Sequence, residues 1–179
     1  MSGKRSISYT EMDTPIGPLT IFATHQGVCN VQFGRGEEKQ LNVKAWLSRL
    51  NVNANIHHDP DDLEYICTEL REYFSNNRTT FTIPIDLRGT AFQRLVWNEL
   101  KRIEHGQVKT YKEIASEIGS PKAVRAVGAA NNKNPVPILV PCHRVIGTNG
   151  SLVGYAGGLS IKEQLLAHEK EMLQSYTAH

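Results

Sequence analysis

Cysteine is scarce in this 179-residue chain: Cys29, Cys67 and Cys142 are its three. They are odd in number and widely spaced, which argues against a disulfide framework and against a zinc cluster. A reducing compartment fits them best. No apolar run approaches the ~18 residues of a membrane span. The opening segment, MSGKRSISYTEMD, lacks the apolar core of a signal peptide. The expected location is therefore cytoplasmic, with no membrane partner. There are no internal repeats and no low-complexity tracts, which excludes a solenoid.

What is present is ordinary for a globular protein, with 40% hydrophobic and 21% charged residues. The length supports one large domain or two small ones. The net charge is only +2 but uneven. Residues 1–89 hold nine bases against eleven acids, and residues 90–179 hold eleven against seven. Between Lys101 and Arg144 there are eight bases and three acids. A basic stretch of this kind suits a phosphate-bearing partner, and a solvated face explains it as well.

The first half reads as α/β. Leu19, Ile21 and Ala23 alternate, Gly27 turns the chain, and Cys29, Val31 and Phe33 alternate again, which predicts a hairpin. A helix is predicted over 37–50 with Leu41, Ala45 and Trp46 near one face. Residues 51–60, with His57 and His58, read as a polar loop. A second helix follows, with Leu63, Ile66, Leu70 and Phe74 at helical spacing and Cys67 beside them. Phe81, Ile83, Ile85 and Leu87 predict an edge strand interrupted by Pro84.

Near residue 89 the character changes, and a domain boundary is expected there. Thr90, Thr110 and Ser160 each precede Gln or Glu by three positions, the pattern of a capping box. The first of these helices is expected to bury Phe92, Val96, Leu100 and Ile103. A short helix over 111–118 ends at Gly119, and Ser120-Pro121 then supplies an N-cap and an N1 proline for another helix reaching about Ala130. Two short helices across a tight turn form a helix-turn-helix. On the second, Val124 and Val127 face inward, while Arg125, Gly128, Ala129 and Asn132 share another face. A long cation among small residues lets a helix backbone approach a groove. A helical hairpin packed on a neighbour is the competing reading.

Residues 138–147, ILVPCHRVIG, stand out. Ile138-Leu139-Val140 predicts a short buried strand stopped by Pro141. Cys142, His143 and Arg144 follow, setting a thiol beside a base and a fixed cation. A buried structural cysteine competes with this reading. Downstream, a helix over 161–173 aligns Ile161, Leu165 and Met172, and Glu169 falls on the same apolar face. A buried carboxylate needs a partner, and His143 is the candidate. Such a pair would hold the imidazole's tautomer and make it a better base for a thiol. An edge position with the carboxylate in water is the alternative.

These residues carry a resemblance. PCHRVIG (141–147), RAVGAANNKNPVPILV (125–140), GYAGG (154–158), KEQLLAHE (162–169), TAFQRLVWNEL (90–100) and TYKEIA (110–115) resemble the O6-alkylguanine-DNA alkyltransferases, the direct-reversal DNA repair proteins. The likeness is dense over 90–170, and in the N-terminal half rests chiefly on TPIGPL (14–19). It implies an RNase H-like α/β N-terminal domain over 1–89. It implies a mainly α, winged-helix-like helix-turn-helix domain over 90–179, carrying DNA binding and the active site.

The resemblance also implies roles. Cys142 would accept the alkyl group. His143, through a water, and Glu169 would form the activating relay. Asn134 would brace the turn before the active-site strand. Tyr111 would contact the 3′ phosphate and donate to the purine. Tyr155 would stack on the guanine, with the backbone at Cys142, Val145 and Ala156 meeting its edge. Arg125 would enter the duplex in place of the flipped base, with Ser120, Lys122 and Gly128 at the DNA. The partner would be double-stranded DNA carrying alkylated guanine, bound through its minor groove by a monomer. The family's mammalian zinc residues are not reproduced and no metal is expected. No cofactor is needed for single-turnover transfer to a thiol. A DNA-binding damage sensor without chemistry and a cysteine hydrolase remain as competing readings.

Overall fold

The computed structural model describes residues 5–178, so the first four residues of the opening segment lie outside it. The chain divides into two compact units, Met1–Arg88 and Gly89–His179.

The first unit is a four-stranded sheet in the order β3-β2-β1-β4. β1 (Arg5–Met12), β2 (Leu19–Thr24) and β3 (Gly27–Phe33) are antiparallel neighbours, and β4 (Ala54–His58) lies parallel to β1. α1 (Glu37–Arg49) and α2 (Glu64–Phe74) follow β3 and β4. Ile7, Phe22 and Cys29 from the sheet pack with Val43 and Leu47 of α1. The predicted hairpin is β2–β3.

Other expectations need correction. The face of α1 that packs inward is Val43 and Leu47, one turn apart, while Leu41 and Ala45 point to solvent. The segment read as a loop contains β4, so His57 and His58 stand on a strand. Val52, Ala54 and Ile56 pack against the core and alternate with Asn53, Asn55 and His57, whose polar side chains on an edge strand read as a loop. The predicted strand around Ile85 is only an isolated bridge to Val28. Pro84 has no N–H, so the ladder cannot extend. Its carbonyl accepts from Val28 N at 2.9 Å, close enough that a Cβ on Gly27 would lie 2.3 Å from that oxygen.

The second unit is helical, with one two-stranded parallel ribbon. α3 (Ala91–Leu100), α4 (Tyr111–Glu117), α5 (Val124–Asn132) and α6 (Leu159–Thr177) surround β5 (Lys109–Thr110) and β6 (Val145–Ile146). Complete capping boxes start α3 at Thr90 and α4 at Thr110, each cap contributing about 1 kcal/mol. Trp97, missed in the apolar pattern, is buried in α3 and donates to the Ala130 carbonyl at 2.8 Å, tying α3 to α5. Phe92 is only half-buried. The third capping box is absent: α6 starts two residues earlier, after Gly158, so Ser160 is inside the helix.

The helix-turn-helix is α4 and α5. Gly119 takes the left-handed conformation, φ 76°, that ends α4. Ser120 does not cap α5. Its carbonyl accepts from Ala123 N in an intervening turn, and α5 begins after Ala123. Val127 is buried as expected, whereas Val124 is half-buried. Among the described residues no helix is long and apolar enough to cross a membrane.

Candidate active site

Residues 138–140 do not form a strand. Ile138 has φ 75° and Val140 N donates back to Val136 O at 2.9 Å, so the apolar run is a compact turn. Its burial comes from packing, which gives the same apolar signature as a strand. Asn134 closes this turn from inside. Its Nδ2 donates to Val140 O at 2.8 Å and its Oδ1 accepts from Val136 N at 3.0 Å. Cys142, His143 and Arg144 then make one 3-10 turn and lead into β6.

All three side chains of that turn are buried. The carboxylate of Glu169, from α6, is its anchor. Oε1 lies 2.7 Å from His143 Nε2 and 2.8 Å from Arg144 Nη2, and Oε2 accepts from Arg144 Nε at 2.9 Å and from Gly106 N at 3.2 Å. Arg144 also donates to Ile103 O at 2.6 Å. The carboxylate placed by periodicity on the apolar face is thus wholly buried, and its candidate partner is bonded to it.

The charges sort themselves. Burial would raise the Glu169 pKa, but the bonds and charges of His143 and Arg144 hold it well below the usual carboxylate range. Burial lowers the pKa of His143, with Glu169 opposing. Glu169 is therefore anionic with Arg144 as its cation, and His143 is a neutral donor. Since Nε2 must carry the hydrogen toward the carboxylate, Nδ1 is the basic nitrogen, and among the described residues no group hydrogen-bonds to it. Burial pushes the Cys142 thiol up to about 11 against the Asn134 side chain, the Lys162 charge and backbone amides, all of which favour thiolate. The resting thiol is protonated, because water is excluded from it.

Lys162 was not foreseen. It is fully buried and donates to Val145 O at 2.6 Å and Val153 O at 3.1 Å, with its ammonium 5.9 Å from the centre of the Tyr111 ring. The signal was available: Lys162, Leu165, Glu169 and Met172 are the buried residues of α6, one face at helical spacing. Tyr111 donates to Val153 O at 2.9 Å.

Beside Tyr111 lies a cleft of about 210 Å³ between α5 and the loop before α6, lined by Val124, Arg125, Gly128, Asn132, Val153 and Gly154. Arg125 and Lys122 are exposed and Ser120 is half-buried. Tyr155 is half-buried and Ala156 exposed in the same loop, and neither lines the cleft. The Cys142 carbonyl already accepts from Val145 N and from Asn131 Nδ2.

This architecture has known counterparts. The profile described as "6-O-methylguanine DNA methyltransferase, ribonuclease-like domain" matches residues 7–87, and the one described as its "DNA binding domain" matches 91–171. A methylated-DNA–protein-cysteine methyltransferase of Methanosarcina acetivorans is 43% identical over 90% of this chain and 97% of its own. The chain belongs to the 6-O-methylguanine DNA methyltransferase family. The constitutive methylated-DNA–protein-cysteine methyltransferase of Bacillus subtilis is similar at 41% identity over 90% of this chain and 94% of its own. The crystal structure of Mycobacterium tuberculosis OGT in complex with DNA superposes with TM-score 0.78 at 39% identity, over 93% of this chain and 94% of that one. The family's ribonuclease-like and DNA-binding folds correspond to the sheet unit and the helical unit.

Proposed function

We propose that this protein repairs DNA by direct reversal of alkylation damage, moving the alkyl group of O6-alkylguanine irreversibly to its own Cys142. The observation that carries the assignment to Cys142 is the buried Glu169–His143 bond, which leaves Nδ1 of His143 as a base in the turn that holds the thiol. DNA is the partner, bound through the family's DNA-binding domain.

The chemistry needs no cofactor. A base inside a duplex is out of reach and is flipped out first. Arg125, exposed on α5 at the mouth of the cleft, fills the gap from the minor groove, with Ser120, Lys122 and Gly128 along the same approach. The Cys142 proton passes to His143 Nδ1 through a water, and Glu169 stabilises the imidazolium. The sulfur then forms a bond to the alkyl carbon as the carbon–O6 bond breaks, and the electron pair leaves with the guanine. Tyr111, once released from Val153 O, supplies a proton to the purine. Tyr155 stacks on the base, while Val145 and Ala156 meet its edge. Asn134 holds the thiol's turn in place. The thioether product has no route back, so each monomer acts once.

The test is transfer of a labelled methyl group from an O6-methylguanine duplex. Label bound stably to protein in a Cys142-dependent manner is expected. A regenerated thiol with repeated turnover would indicate a hydrolase, and DNA binding without transfer would indicate a sensor.

A further inference from the structure

The cluster around Glu169 includes a second imidazole, which the mechanism above does not use. His105 lies in the turn between α3 and β5 and is 8% exposed. Its neighbours in that turn hold the cluster at two points. Ile103 O accepts from Arg144 Nη1 at 2.6 Å, and Gly106 N donates to Glu169 Oε2 at 3.2 Å. Leu173 of α6 packs over Gly106, where a Cβ would lie 2.2 Å from its Cδ1. The turn is thereby fixed against the carboxylate, and His105 with it. The charged and titratable groups that face His105 are Glu169 and His168 of α6 and His143 and Arg144 of the 3-10 turn. Burial lowers its pKa and Glu169 opposes, while Arg144, His168 and His143 add to the lowering.

Charge decides how many protons this cluster can hold. Arg144 already neutralises Glu169, and Lys162 is a further cation acting on His143. A proton on His143 during thiol activation makes the buried group net positive. A second proton on His105 would set two imidazolium ions against one carboxylate that is already paired. Two like charges sharing one buried site do not form together, so one proton excludes the other. His105 is the less enclosed ring, at 8% exposed against 0% for His143, so it takes the first proton as pH falls. We propose that His105 is a positioning residue of the relay: it shares with His143 a single place for a proton beside Glu169, and while it holds that proton His143 does not accept the one on Cys142. The inference rests on the proposed transfer to Cys142 and adds the group that closes the relay in acid.

The experiment measures single-turnover methyl transfer from an O6-methylguanine duplex from about pH 5 to about pH 8, across the range in which imidazoles titrate. The native protein is compared with His105→Gln, His105→Phe and His168→Gln, each profile scaled to its own rate at the upper end. In both His105 variants the midpoint of the acid limb should move down by about half a pH unit or more, because one of two sites competing for a proton is gone. A side chain that only shapes the turn would change the height of the profile and leave its midpoint in place, which would overturn the proposal. So would a midpoint that moves in His168→Gln and in neither His105 variant. If the His105 variants do not fold, the imidazole Cε1 proton resonances of the native protein decide. Over the same range His105 and His143 should take up one proton between them. Two complete, independent titrations in the folded protein would overturn the sharing. That titration needs no DNA, so a native protein that transfers methyl at no pH would lose the repair function while the proton sharing is still read directly.

Discussion

Glu169 Oε1 stands 2.7 Å from His143 Nε2, and both side chains are wholly buried. Because Arg144 supplies the positive charge, the carboxylate can stay ionised without protonating the imidazole. His143 is left neutral with Nδ1 basic, in the same turn as a thiol that burial keeps protonated.

Glu169→Gln keeps the shape and removes the charge that stabilises the imidazolium. At neutral pH, alkyl transfer should slow on the order of ten- to hundred-fold, within the range for a general base. DNA affinity should be nearly unchanged, and the rate should recover as pH rises and the thiol ionises unaided. Single-turnover rates against pH measure this. Coincident profiles would make Glu169 a structural residue only.

Arg144→Met leaves Glu169 buried without its cation. Stability should fall by about 3–5 kcal/mol, as when one member of a buried pair is removed. Adding Glu169→Gln should restore part of it, because both charges are then gone. Denaturant unfolding of both variants and of the double variant tests this. Strict additivity would show that the two residues do not act as a pair.

The buried histidines set an acid limit. Burial lowers the pKa of His143 and also that of His105. Below about pH 6.5 the unfolded chain protonates such groups while the folded one resists. The unfolded state then binds more protons, so stability is complete above that pH and declines as pH falls. Glu169, with its pKa depressed, adds a further loss only below about pH 4.3. The melting temperature should drop between pH 7.5 and 5.5. A flat or rising value would contradict the neutral assignment.

Much of this site is legible in the chain, and the failures have physical causes. Glu169 was found because a carboxylate on an apolar face is anomalous, and the structure buries it against His143 and Arg144. Lys162 sits on that same face but reads as an ordinary helix charge, since its partners are the backbone carbonyls of Val145 and Val153. Those backbone partners cannot be read from the sequence, so only its spacing with Leu165, Glu169 and Met172 marks it. In the fold, the β2–β3 hairpin and the helix-turn-helix carry their own turn residues. β4 was passed over although Val52, Ala54 and Ile56 alternate with Asn53, Asn55 and His57, because the polar alternates of this edge strand give it the composition of a loop. The 138–140 run shows that burial and strand geometry leave the same apolar signature.

Arg125→Ala separates flipping from chemistry. Duplex repair should fall by at least ten-fold, because flipping costs a few kcal/mol that the inserted side chain offsets. Reaction with a free O6-alkylguanine base, which needs no flipping, should change little. Equal losses on both substrates would remove Arg125 from the flipping step.

The most direct measurement is peptide mapping by mass spectrometry after incubation with excess O6-methylguanine duplex. One methyl group per protein, on Cys142 alone, is expected, with Cys29 and Cys67 unmodified and no further product as DNA is added. Methyl on either of those cysteines, or more than one repaired lesion per protein molecule, would contradict single-turnover transfer to Cys142.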